Sequence, residues 1–539
     1  MELPSVFTDD EISRFRAELA GQRQPGAYEP GRWSVSPLNR DPAVTGAMPE
    51  QIRLRDATLR SVETLPGVVA SDEAKSDYLR QLVRAGVSEV VTAGVRGRTE
   101  ATLRAEIELI KSENPDCRAT CPLVSSTETI DLAHAAGYDG VQVWIQGFGE
   151  ASLIYERIYP AAWHGSDWRG PQTPRRREEF VARAARLVEY ARTLNLQVAT
   201  PLLMVSYLTP EMLAQTCAAL TKAGVTELTL FDGPGAVSPE AFAALVSQAK
   251  AMAPEASVGL HPHNTFGLGV ACAVSAARAG ADVIELSVNG YCGGPGNADL
   301  AVTALAFEAL YGVRTGIELS QLTTLSRAGE ALTGYHVAWN HPVTGRQAFG
   351  WGGMDIITQE TTVDPLLHNC VEPGLVGNER QVPLTLDTGG YTMAYILGRL
   401  GVAITSTAQV DEVLRRCHAA MRSRGRLLAD DEIRAIATAV PTPLFKERGQ
   451  PQAPSASRAC MAVRRSIGPA QAAGHPSPEL AKCMTSASSS PVNGAQPGRP
   501  GPFGSPAATN RDQPADIARA SSLSAAVQAQ SRWARLSQA

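Results

Sequence analysis

Two histidines one residue apart, His261 and His263, close the short apolar run VGLHPHN, and a glycine-lined loop, VNGYCGGPGN, follows from Val288 to Asn297. Side chains alternate across an extended chain, so residues i and i+2 point to the same side. The pair therefore brings two imidazole nitrogens together, an arrangement suited to a divalent cation. Val258 and Leu260 lead into the pair and place it at the C-terminal end of a strand. In a β/α barrel that end carries the chemistry. The plainer alternative for any His-x-His is two hydrogen-bonded polar residues at a strand end.

The elements around the pair support the barrel. Between about residues 50 and 315, β-branched runs such as IRLRD, SEVVTAG, GVQVWIQ, LQVATPLL, TELTLFD, SVGLH and DVIELSVNG alternate with amphipathic helix patterns. Thr209-Pro210-Glu211 and Ser238-Pro239-Glu240 each offer a hydroxyl cap, a proline at the first helical position and an early acid. The joints Ala85-Gly86, Ala136-Gly137, Ala223-Gly224 and Ala279-Gly280 fit close βα units. Such alternation predicts a parallel sheet closed as a TIM (β/α)8 barrel over residues 49–318, after an N-terminal arm over 1–48. Residues 319–440 read as a small, mostly helical accessory region. From 441 to 539 the chain is rich in Pro, Ser, Ala, Gly and Gln and is expected to be a disordered tail.

Composition narrows the function. A chain of 539 residues with a formal charge of -5 carries no basic surface that would suggest nucleic acid or an anionic membrane as partner. No apolar run reaches membrane-spanning length, and the acidic start MELPSVFTDDEISRFRAEL lacks the layout of a signal peptide. Nine cysteines without paired spacing point to a reduced, cytoplasmic enzyme.

The stretches VGLHPHNTFGLG and IELSVNGYCGGPGNADL resemble the second signature of the DRE-TIM metallolyases, the family of isopropylmalate, homocitrate and citramalate synthases and of hydroxymethylglutaryl-CoA lyase. The resemblance implies that His261, His263 and Asn297 bind a divalent metal cation (Mg, Mn or Zn). The run IRLRDATLRSVETLPGV, residues 52–68, resembles the first signature through Asp56, Thr58, Leu59, Arg60, Glu63, Pro66 and Gly67. Ser61 stands where the family has a metal-ligating aspartate, Val62 where it has the next glycine, and Val91 where it has a glutamate. Asp56 is the expected replacement metal ligand, with Asp232 as the other acid at a neighbouring strand end. A buried acid tying the first strand to its surroundings is the alternative for Asp56. Arg60 is expected to hold a 2-oxo acid and stabilise enolate charge. Glu63 would organise the site, and Asn289 and Gly294 would join Arg60 in binding substrate.

Beyond the barrel, Ala348-Phe349 and Leu375-Val376-Gly377-Asn378 resemble the region that follows the barrel in the condensing enzymes, so the resemblance spans roughly residues 50–437. Trp351 and Asp355 stand where two histidines would be. Asp355 is the expected substitute base, with a loop or helix-capping aspartate as its alternative. Cys292 is a candidate for lyase-type acid/base work. The implied activity is a Claisen condensation of an acyl-CoA, most simply acetyl-CoA, with a 2-oxo acid, by a cytoplasmic homodimer. A carbon–carbon lyase or aldolase, or a metal-poor relative without catalysis, are the alternatives.

Overall fold

The computed structural model describes residues 7–62, 64–144, 148–149 and 176–441. Glu63 and the tail expected to be disordered, save Pro441, lie outside the described residues. Strands β1 (Tyr28–Glu29) and β2 (Trp33–Ser34) form a small antiparallel pair. Eight parallel strands then close a barrel: β3 (Arg53–Asp56), β4 (Glu89–Val91), β5 (Arg118–Val124), β6 (Gly140–Val143), β7 (Gln197–Leu203), β8 (Glu227–Asp232), β9 (Ser257–Pro262) and β10 (Val283–Leu286), the last pairing with β3. The expected (β/α)8 barrel is what the chain forms. Strand β5, RATCPLV, is not among the runs read from the sequence. Its ladder to β6 shifts between Cys121 and Val124, where Leu123 takes a φ of 61°.

Local chemistry sets the joints. The hydroxyls of Ser71, Thr209 and Ser238 accept from backbone N–H groups of the first turn of helices Asp72–Arg84, Pro210–Lys222 and Pro239–Met252. Three of the Ala-Gly pairs fall between a helix and the next strand, and in the fourth Ala136 ends helix Thr127–Ala136 with Gly137 as its cap. At Gly86, with φ of 86°, a Cβ would collide with the carbonyl oxygen of Gly316, so the joint requires glycine.

Strand alternation divides the core into two layers. Leu54, Val90, Val141, Leu228, Leu230, Leu260 and Leu286 belong to the main apolar cluster. The interior is polar and charged: Arg55, 1% exposed, pairs with Glu89 at 3.1 Å, with Glu285 at 3.0 Å and with Glu227. Breaking a buried pair of this kind costs about 3–5 kcal/mol, because the remaining partner is left as an uncompensated charge.

After the barrel come helices Leu322–Thr333, Asp355–Val363, Gly390–Arg399, Thr407–Arg424 and Asp430–Thr438. The last three share a second core around Met393, Leu397, Val413, Cys417 and Ile433. The N-terminal arm fastens to this region. Arg23 pairs with Asp364 at 2.6 Å, and Arg16 donates to the Val363 carbonyl at 2.6 Å. Backbone bonds run from Ser34 to Cys370 and from Glu372 to Arg32, at 2.8 Å each. Among the described residues no helix is long and apolar enough to cross a membrane, and the seven described cysteines are free.

Candidate metal centre

His261 and His263 sit at the C-terminal end of β9, the first inside the strand and the second just past it. Gly259, two residues earlier, faces Glu227 in the barrel interior, so the alternation carries both imidazoles to that side. The glycine loop is stitched over them by backbone bonds from Asn264 to Gly296 (2.8 Å), Asn297 to Gly290 (3.2 Å) and Ala298 to Pro262 (3.2 Å). Gly296, with φ of 83°, permits this closure, since a Cβ there would strike the Gly290 carbonyl.

The loop delivers Cys292 between the imidazoles. Its Sγ lies 3.9 Å from His261 Nε2 and 3.7 Å from His263 Nε2, and Ser61 Oγ donates to it at 3.4 Å. Among the described residues this trio is the group of histidine, cysteine or acidic side chains whose ligand atoms lie close enough together, all within 4.8 Å, to hold a metal ion. Burial of Cys292 opposes the thiolate, but the two imidazoles outweigh it and hold the thiol well below its ordinary value.

Glu285 supports the trio from below. Its Oε1 lies 3.0 Å from His261 Nδ1 and pairs with Arg60, and its Oε2 accepts from Gln142 at 2.6 Å. Burial disfavours the charge on Glu285, yet Arg60 and Arg55 overcome it and keep the carboxyl well below the usual carboxylate range. Phe231 stacks on the His261 ring at 4.0 Å, and Arg60 lies 5.5 Å from the rings of both Phe231 and Trp144.

Arg60 reaches the barrel mouth because β3 ends in a tight turn. Asp56 accepts from Thr58 N at 3.0 Å and Thr58 Oγ1 at 2.7 Å, starting the short helix Thr58–Val62 that carries Arg60 and Ser61. The same turn occupies the Asp56 carboxylate, which also accepts from Tyr78 of helix Asp72–Arg84 at 3.3 Å. Arg55 faces the interior, so Asp56 faces the helices. Burial pushes Asp56 up to about 6, against hydrogen bonds from Thr58 and Tyr78. Asp232 follows the same parity beside inward Phe231, and accepts from Ser206 Oγ at 2.9 Å and Val237 N at 2.8 Å. The structure does not bring either aspartate into the histidine–cysteine trio.

Asn297 is buried beside His263, its Nδ2 donates to Ser287 Oγ at 3.0 Å, and its Oδ1 has no hydrogen-bond partner among the described residues. Asn289, in a left-handed conformation, donates to the Ser326 carbonyl at 3.0 Å, and Gly294 is at the exposed part of the loop. Asp355 lies in the first turn of helix Asp355–Val363 and accepts from Thr392 N at 2.9 Å, at the start of helix Gly390–Arg399. Trp351 donates to Asn369 at 2.7 Å in the accessory region. Val91 is fully buried.

Sequence reading missed Glu285 and Gln142, whose signal was a polar residue in the middle of an apolar strand, and the interior position of Arg55 in β3. It also missed His341, whose Nε2 lies 3.2 Å from Asp299 just after the glycine loop. The donor set fits a divalent ion: two Nε2 atoms and a thiol converge beside a buried, unpartnered amide oxygen.

The fold and this mouth define a β/α-barrel protein with a His-x-His centre at the C-terminal ends of its strands. Residues 167–328 match the HMGL-like family. Over 394 residues, 72% of each chain, the protein is 31% identical to a Methanopyrus kandleri protein named as a putative (R)-citramalate synthase. It is 26% identical over 408 residues, 74% of each chain, to a 2-isopropylmalate synthase of Methanocaldococcus jannaschii. A solved HMG-CoA lyase of Bacillus subtilis aligns with 54% of this chain and 96% of its own, at 19% identity and a TM-score of 0.43. The chain belongs to the DRE-TIM metallolyases, in the family of citramalate and isopropylmalate synthases.

Proposed function

We propose that the protein condenses an acyl-CoA, most simply acetyl-CoA, with a 2-oxo acid to give a 2-alkylmalate- or homocitrate-type hydroxy diacid. The observation that carries this reading is His261, His263 and Arg60 meeting at the barrel mouth of a chain from the synthase family. A proton leaves the acyl α-carbon, that carbon bonds to the ketone carbon while the ketone oxygen takes up a proton to become the hydroxyl, and water then cleaves the thioester and releases the thiol. A bound divalent cation would polarise the ketone as a Lewis acid.

The chain's own residues supply the rest. Arg60 offers a planar guanidinium suited to a carboxylate or a developing enolate oxygen. Glu285 sets the orientation of His261 through Nδ1. Phe231 and Trp144 form an aromatic wall that limits water beside the imidazoles. The free described cysteines support a reduced compartment, the cytoplasm.

The test is thiol release from acetyl-CoA against a panel of 2-oxo acids, run with Mg²⁺, Mn²⁺, Zn²⁺ and chelator. Acceptor-dependent release that chelation abolishes is the expected result. Silence with every acceptor, together with cleavage of a 3-hydroxyacyl-CoA, would assign the protein to the lyases instead.

A further inference from the structure

We propose that Cys292 is the anionic ligand of the centre, so that His261, His263 and Cys292 form a site of two nitrogens and one sulfur for a thiophilic divalent cation such as zinc rather than magnesium. This deepens the metal-dependent reading above and rests on it.

Geometry carries the inference. In tetrahedral coordination with ordinary zinc–sulfur and zinc–nitrogen bonds, sulfur and nitrogen donors stand about 3.6 Å apart. The observed Sγ to Nε2 distances of 3.7 and 3.9 Å are already close to that spacing. Both imidazoles present the same nitrogen, Nε2, to the sulfur. The Nδ1 of His261 is taken up by Glu285, the usual outer partner of a metal-bound histidine. Asn297 adds an independent sign, as its Oδ1 is buried and unpartnered next to His263.

Charge points the same way. Two neutral imidazoles and an amide leave a doubly charged ion uncompensated in a desolvated pocket. Ser61 offers only a hydroxyl, and the oxygens of Asp56 and Asp232 are engaged in turns facing away from the trio. Glu285 reaches the far side of His261. The thiolate is therefore the anion that the described residues bring to the two Nε2 atoms. Ser61 Oγ, donating to Sγ at 3.4 Å, steadies it. Magnesium demands near-octahedral oxygen ligands, whereas imidazole and thiolate suit zinc, cobalt or ferrous iron.

The experiment is Co²⁺ titration of the metal-stripped full chain, followed by absorption spectroscopy. Wild type is expected to show thiolate-to-cobalt charge transfer in the near ultraviolet and to prefer Zn²⁺ to Mg²⁺ in competition. Cys292→Ser, with folding checked by circular dichroism, should lose that band and bind Co²⁺ at least tenfold more weakly. Co²⁺ bound to wild type without the charge-transfer band would overturn the cysteine ligand and leave the metal-dependent reading standing. Failure of wild type to bind Co²⁺, Zn²⁺, Mn²⁺ or Mg²⁺ at all would overturn both.

Discussion

His261 Nδ1 lies 3.0 Å from Glu285 Oε1, and the opposite nitrogen of the same ring is directed at Cys292. One carboxylate in the middle of β10 thus decides which way the imidazole faces at the end of β9. The same carboxyl group also pairs with Arg60 and Arg55, so it joins the barrel's interior charges to the mouth.

Glu285→Gln should therefore act in two ways. Metal affinity should fall about 10–100-fold, because His261 loses the acceptor that orients it. Stability should fall by several kcal/mol, since two buried guanidinium groups lose a shared counter-charge. Isothermal titration with Zn²⁺ and urea unfolding measure the two effects separately. An unchanged affinity in a folded variant would detach Glu285 from the centre.

Asp56 should make stability depend on mild acidity. Its folded value of about 6 lies above the ordinary 3.8, so the folded state binds its proton more tightly than the unfolded chain does. The resulting stabilisation is complete below about pH 4 and is lost as pH rises through 6, an effect on the order of 2–3 kcal/mol. Asp56→Asn should flatten this part of the profile while leaving metal content unchanged. Urea midpoints from pH 4 to 7.5, with elemental analysis of both proteins, supply the check; loss of metal in the variant would make Asp56 a ligand.

Arg60→Lys keeps a positive charge beside Glu285 but loses the planar fork. Acceptor-dependent thiol release should drop about 10²–10³-fold in kcat/KM, the scale of removing a donor aimed at developing charge. The unfolding midpoint should move much less than for Arg60→Ala. Equal activity in the lysine variant would confine Arg60 to an ion-pairing role.

Ser61→Asp places a hard oxygen anion beside the Cys292 sulfur, to which the serine hydroxyl now donates at 3.4 Å. Binding of Mg²⁺ and Mn²⁺ should strengthen relative to Zn²⁺, because carboxylate oxygen favours the harder ions. Competition titrations on wild type and variant read that ratio directly. No change in the ratio would mean that residue 61 does not face the ion.

Much of the barrel is legible because its strands and helices are local patterns. His-x-His reads directly as two ligands on one face, and the caps at Thr209 and Ser238 read directly as helix starts. Strand β5 escapes because its ladder shifts register between Cys121 and Val124, around the positive φ of Leu123, which no residue pattern announces. The missing carboxylate is harder to read. Asp56 and Arg55 are adjacent, so only one of them points inward, and the sequence does not say which until the register with Glu285 is known. Cys292 lies 31 residues from His261 in the chain, and its approach depends on a loop closure that no spacing rule describes. Likewise, Asp355 reads as a base from position alone, while its bond to Thr392 depends on how two helices meet.

The clasp between the N-terminal arm and the region after the barrel has a consequence for synthesis. Arg23 and Asp364 are separated by 341 residues, with the barrel strands lying between them in the chain. At ribosomal speeds of about 5–20 residues per second, the arm waits on the order of 20–70 s for its partner to be made. The barrel strands emerge during that interval, so the clasp is a late step that seals a chain whose central part has already been exposed to the ribosome's surroundings.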